Sequence, residues 1–145
     1  MADSDIRTTI SAAIEAGDAH GAARLLSAAW DREPSAALAG FICSRFDALR
    51  PKLDLLSYRW AILRSFTVEP VVPILRACAY ARGIALDVHI GEFNAYPQEI
   101  LDGESALYRF RPDAVVLAVQ TRDLGDMASA LARFEGWIAA FRRRK

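Results

Sequence analysis

Ser65, Thr67 and the run Thr121-Arg122-Asp123 are side chains of a kind that binds or transforms small molecules, with Gly91 and Asn94 between them in sequence. A serine hydroxyl attacks an acyl carbon only when a neighbouring base takes its proton. A guanidinium such as that of Arg122 can hold a phosphate or carboxylate bidentately, and unpaired backbone N–H groups at a helix start near Thr67 would add to such a site. Each of these residues comes after a short apolar run: residues 60–63 before Ser65, 84–90 before Gly91, and 114–119 before Thr121. In an open parallel sheet, ligands sit outside the carboxyl ends of the strands. Here the polar chemistry gathers at those ends, while the runs themselves are mostly Val, Ile, Leu and Ala.

The elements that must position these residues are set by periodicity. Residues 4–49 show helical spacing and no strand pattern. Asp3 or Ser4 can cap a helix carrying Ile6, Ile10 and Ile14 that stops at Gly17. Asp18 starts a second helix with Leu25, Leu26 and Trp30, and Ser35 a third with Leu38, Ile42 and Phe46. This helical pair and a half resembles a tetratricopeptide-type hairpin, but the plainer reading is a helical cap docked on the α/β domain. From Tyr58 the period changes to strand, and a helix opens between Thr67 and Pro70, with proline at an early position where its missing N–H costs nothing. It runs to Gly83. A second strand at 84–90, helical turns at 97–101 and 105–110, a third strand after Pro112-Asp113 and a last helix from Gly125 or Asp126 complete the pattern. In that helix Met127, Leu131, Phe134, Ile138 and Phe141 recur at spacings of 4, 3, 4 and 3, one continuous apolar stripe. Right-handed crossovers then give an α/β, doubly wound parallel sheet of order 2-1-3, with Ser65 and Thr67 facing Thr121, Arg122 and Asp123 across one crevice. The predicted organisation is a helical subdomain at 1–52 and an α/β domain at 53–145. Three strands are few for such a sheet, so the reading is a truncated one, a fragment of a longer protein.

Composition narrows the function classes. The chain has 145 residues, 53% apolar and 25% charged, enough for a sizeable core. Eighteen basic and eighteen acidic side chains cancel, so no global field attracts nucleic acid or an anionic membrane. The basic run at 142–145 reads as a solvated helix end. No segment approaches the roughly 18 apolar residues of a membrane span, and the acidic start does not read as a signal peptide. Cys43 and Cys78 lie in apolar helical patterns without metal-ligand spacing and read as reduced core thiols of a cytoplasmic protein. No metal site is predicted.

The phrases LRSFTVEPVVPILRA from Leu63, GEFNAYPQEIL from Gly91 and SALYRFRPDAVVLAVQTRDL from Ser105 carry a resemblance. Over roughly residues 20–145 the sequence resembles the N-terminal domain of FkbH-like proteins, haloacid-dehalogenase-type proteins of polyketide and nonribosomal peptide assembly lines. The resemblance implies a flavodoxin-like, SGNH-hydrolase-type fold with a phosphatase-like domain after it. It implies, for the whole protein, transfer of a glyceryl unit from a phosphorylated glycerate to an acyl-carrier protein. The partners implied are that carrier, the following domain and a phosphorylated three-carbon substrate. Mg2+ is expected only in the following domain, whose Asp-x-Asp motif is absent from this chain, and this chain alone is expected to be inactive.

An SGNH-type hydrolase needs a serine after the first strand, a glycine after the second, a Gly-x-Asn-Asp after the third and a late Asp-x-x-His. Ser65 and Gly91 stand at the first two positions, but Arg122 stands where the asparagine would be and the Asp-x-x-His is absent. His20 and His89 lie in a helix and in the body of a strand and cannot replace it. Ser65 then has two readings: a hydroxyl closing a turn, or a nucleophile completed by an Asp/His pair beyond residue 145. Arg122 likewise reads as an anion contact or as an ion pair with Glu69 or Asp123. Asn94, Tyr96 and Gln98 line the crevice or satisfy backbone groups, whereas Glu99, Asp102 and Glu104 read as a solvated face. An accessory binding domain, a serine esterase or acyltransferase, and a docking module built on the first three helices are the three function classes that fit.

Overall fold

The computed structural model describes residues 3–144, with the side chains of residues 3–5 outside the description. Its elements run α1 (Asp3–Glu15), α2 (Ala19–Arg32), α3 (Ala36–Leu49), β1 (Leu56–Arg64), α4 (Val72–Tyr80), β2 (Ile84–Ile90), α5 (Tyr96–Leu101), α6 (Ala106–Phe110), β3 (Ala114–Ala118) and α7 (Met127–Arg142). The three strands form one sheet of order β2-β1-β3, as the crossover argument predicts, flanked by helices. β1 and β3 are parallel, in register from Trp60↔Ala114 to Arg64↔Ala118. On the other side the N–H of Leu56 donates to the Gly83 carbonyl and that of Gly91 to Ile62, so β2 also runs parallel to β1.

The chain divides into two compact units, Met1–Tyr58 with Pro70–Leu86, and Arg59–Glu69 with Asp87–Lys145. In the first unit, Asp18 caps α2 by accepting from the Gly21 N–H, and Ser35 caps α3 by accepting from Leu38. The cap expected at Asp3 or Ser4 falls on side chains outside the described ones, as Lys145 of the terminal basic run does. Ile10, Leu26, Ile42 and Phe46 form a core that α4 joins through Ala77 and Tyr80. The Tyr80 ring stacks on Phe46 with centroids 4.6 Å apart, and its hydroxyl donates to Asp47 at 2.7 Å. Arg76 closes the group, bonding Asp47 at 2.6 Å and the Leu86 carbonyl at 3.2 Å. Cys43 is buried, with its thiol against the Pro73 carbonyl and its pKa pushed up, chiefly by that burial. Cys78 corrects the reading of a second core thiol: it is exposed, because α4 turns Ala77 and Tyr80 inward and leaves the intervening position outside.

In the second unit, Ala61, Leu63, Tyr96, Ile100, Leu107 and Ala140 are buried together. Tyr96 meets Trp137 edge-on at 5.4 Å, and the Tyr108 hydroxyl donates to the Ile100 carbonyl. Asp126 caps α7 by accepting from Ser129. The stripe predicted on α7 divides. Phe141 stacks on Tyr108 of α6 and Phe134 meets Trp137 within the helix itself, whereas Met127, Leu131 and Ile138 remain exposed. The side that α7 buries is centred on Ala130 and Ala140, because small residues allow the helix a close approach. No helix among the described residues is long and apolar enough to cross a membrane.

Burial, and the hydrogen bond to Asp47, push the Tyr80 hydroxyl from about 10 up to about 12. A raised pKa contributes stability below the unfolded value and loses it as pH rises through the folded one. Unfolding free energy should therefore hold steady to about pH 9.5 and fall between about pH 10 and pH 12. Chemical denaturation across that window should give a shallower fall for Tyr80→Phe; an identical slope would remove Tyr80 as the cause.

Candidate functional site

Four contacts gather the strand exits at one end of the sheet. The Ser65 N–H donates to the Ala118 carbonyl at 2.9 Å, and the Ser65 hydroxyl oxygen accepts from the Gln120 N–H at 2.9 Å. On the β2 side, Gly91 donates to Ile62 and Asn94 to the Arg64 carbonyl. Ser65 therefore lies beside the start of the Thr121–Asp123 turn, and Asn94 beside Arg64. Asn94 takes a left-handed backbone with φ of 58°, a conformation asparagine tolerates better than most residues.

Within this cluster the candidates differ in access. Thr67, Asn94, Thr121, Arg122 and Asp123 are exposed, whereas Ser65 and Gly91 are buried. The Ser65 oxygen is engaged as an acceptor, and among the described residues the Gln120 N–H is its one partner. The Gly91 N–H that an oxyanion would use belongs to the sheet ladder. A Cβ at Gly91 would stand 2.6 Å from the Glu99 carboxylate and 2.7 Å from Leu63, so the position has no room for a side chain. Tyr96 belongs to the core and Gln98 is exposed.

Arg122 extends outward with its side chain 79% exposed, and its Nε is 4.0 Å from Asp123. An exposed contact of that length is worth little, which leaves the guanidinium available. The Glu69 weighed as its partner is held instead by Arg64, at 2.9 Å and 3.3 Å from the two terminal nitrogens. Arg64 also donates through Nε to the Gly91 carbonyl at 3.1 Å and lies over the Phe93 ring. It fastens the β1 and β2 exits together. The sequence carries one signal for it, a basic residue at the last strand position with an acid five residues on. Glu69 further accepts from the Val68 N–H at 3.0 Å, and α4 begins only at Val72, after a 3-10 turn at Glu69–Val71. One backbone donor of the anion site expected near Thr67 is thus already taken by a carboxylate.

Glu99 corrects the reading of a solvated acidic face. Asp102 and Glu104 are exposed, but Glu99 is only 8% accessible. One of its oxygens accepts from the Glu92 N–H at 2.8 Å, and the other faces His89 Nε2 at 3.7 Å. Its burial comes from the turn after β2, which places a carboxylate under the Gly91 backbone. Among the described residues no three His, Cys, Asp or Glu side chains converge as a metal site.

No protein-family model matches the chain, and no curated protein matches it in sequence. Among solved structures it is similar to the crystal structure of the N-terminal part of a Bacteroides fragilis protein containing a phosphatase domain, complexed with Mg. The identity is 17% and the TM-score 0.52, over 62% of this chain and 27% of that one. The likeness is one of fold, and it spans about a quarter of the neighbour's length.

Ser65→Ala would strand the Gln120 N–H and should cost about 1 kcal/mol of stability. Gly91→Ala should cost about 1–3 kcal/mol through overpacking against Glu99 and Leu63. Urea unfolding of both variants checks the assignment; a neutral Gly91→Ala would mean that the Glu99 carboxylate moves aside freely.

Proposed function

We propose that this chain is the N-terminal accessory domain of an FkbH-like protein, with residues 1–52 as its helical subdomain and 53–145 as its α/β domain. In this reading it presents a phosphorylated three-carbon substrate, and the acyl-carrier protein that receives the glyceryl unit, to a following haloacid-dehalogenase-type domain. Transfer and any Mg2+ chemistry belong to that following domain. The observation that carries the reading is the fold likeness to the N-terminal part of a phosphatase-domain protein. The three phrases at the strand exits, which resemble the same kind of protein, lend it support.

The role of this chain's own residues is to bind and orient. Arg122 supplies a mobile charge-assisted contact to the phosphate or carboxylate. Thr67, Asn94, Thr121 and Asp123 line the same end of the sheet, and Gly91 lets the β2 exit pass close to Glu99 and Leu63. Ser65 positions the β3 exit through Gln120. A charged hydrogen bond is worth about 1.5–3 kcal/mol, so Arg122→Ala should weaken binding by about ten- to a hundredfold. Thr121→Ala should matter less, since a hydroxyl carries no net charge. Calorimetric titration of glycerate phosphates into wild type and Arg122→Ala tests this, and equal affinities would sink it.

The serine-esterase reading rests on the Ser65 hydroxyl proton, which no hydrogen bond among the described residues uses. Hydrolysis of acyl esters by this chain, abolished by Ser65→Ala, would replace the accessory role with that one.

A further inference from the structure

A second basic site lies at the opposite end of the sheet from Ser65 and Arg122. Where the end of α6, the entry of β3 and the end of α7 meet, a cavity of about 330 Å³ is lined by Tyr108, Arg111, Asp113, Phe141 and Arg144. Tyr108 and Phe141 give it an aromatic wall, their rings stacked with centroids 5.9 Å apart. Arg144 does not simply project from the helix end into solvent. Its guanidinium lies 5.6 Å from the Tyr108 ring centroid, and a Cβ at Gly103 would stand 3.1 Å from one of its terminal nitrogens. Arg111 reaches the same cavity from a left-handed backbone with φ of 53°. It follows α6 at the position that most often falls to glycine. Glycine would adopt that backbone freely, so what arginine adds there is its charge.

Neither arginine has a carboxylate partner among the described residues. Asp113, the one acid among the lining residues, accepts from the Arg59 N–H at 2.8 Å. Burial pushes the Tyr108 hydroxyl above its ordinary value, so the phenol stays neutral and offers Arg144 no counter-charge. Two guanidiniums against one engaged carboxylate leave the cavity with surplus positive charge.

We propose that this cavity binds a small organic anion, a phosphate or carboxylate group carried on an aromatic or aliphatic body. Arg111 and Arg144 take the anionic oxygens, for which the planar guanidinium is suited, and the Tyr108–Phe141 wall takes the body. The site is concave and of small-molecule size, and the chain as a whole carries no net charge to draw in nucleic acid.

Calorimetric titration of phenyl phosphate tests the inference, in the whole chain carrying Arg122→Ala so that the strand-exit site does not contribute. Phenyl phosphate should bind about tenfold more tightly than inorganic phosphate, since it alone meets the aromatic wall. A parallel titration of phenylacetate distinguishes the two anions, and the tighter binder identifies the group that the arginines take. Arg144→Gln and Arg111→Gly should each weaken binding by about ten- to a hundredfold. Arg111→Gly should at the same time hold or raise the urea midpoint, a split that a merely structural arginine would not show. If it lowers the midpoint instead, Arg144→Gln decides. Failure of both phenyl phosphate and phenylacetate to bind overturns the proposal, as does binding that neither substitution weakens. Inorganic phosphate matching phenyl phosphate overturns it equally. Failure of the glycerate phosphate titration at Arg122 would leave this site standing.

Discussion

The site depends on how β1 holds β3. A five-residue strand at a sheet edge has few ladder bonds of its own, so its ends decide whether it stays in register. At the entry, the Asp113 carboxylate accepts from the Arg59 N–H at 2.8 Å, while its own N–H donates to the Arg59 carbonyl at 2.7 Å. At the exit, Ser65 does the same work from the β1 side, its hydroxyl oxygen accepting from Gln120 and its N–H donating to Ala118. Each end is thus closed by one short polar side chain and one backbone bond. A slip by one residue would turn Val115 and Leu117 out of the core and break both closures together.

That constraint explains the division of labour at the strand exits. Residues that fasten the exits, namely Ser65, Gly91, Arg64 and Glu69, spend their donors and acceptors on the protein itself. Residues free to meet a ligand stand one step further out, at Thr67, Asn94 and Thr121–Asp123. Fixed inner groups and exposed outer ones suit recognition better than covalent chemistry, which would need the inner serine to leave its hydrogen bond and acquire a base.

Much of the fold was legible in the chain. Gly83 and Gly91 bracket β2, so its limits at 84 and 90 coincide with the apolar run. Asp18, Ser35 and Asp126 announce their helices because their short side chains accept from backbone N–H groups three residues on. β1 is longer than its apolar run, because Arg59 and Arg64 are polar at their tips yet strand-forming. The start of α4 was harder to read, since Glu69 turns back on the Val68 N–H and delays the helix. The burial of Glu99 and the outward turn of Cys78 were not legible at all. The first depends on α5 folding back so that its carboxylate lies beneath the exit of β2, and the second on which of two apolar sides α4 presents inward. Periodicity names the sides of an element without saying which of them finds a neighbour.

The two cysteines give the helical unit a built-in reporter. Thiolate is the reactive form of cysteine, and reagents must reach it. Cys78 is open to solvent, whereas Cys43 sits inside the core with its sulfur on the Pro73 carbonyl. An alkylating reagent should therefore modify Cys78 at a rate set by chemistry and Cys43 at a rate set by how often α3 and α4 part. The ratio of the two rates is a clock for the breathing of that helix pair, read in the native protein without a denaturant.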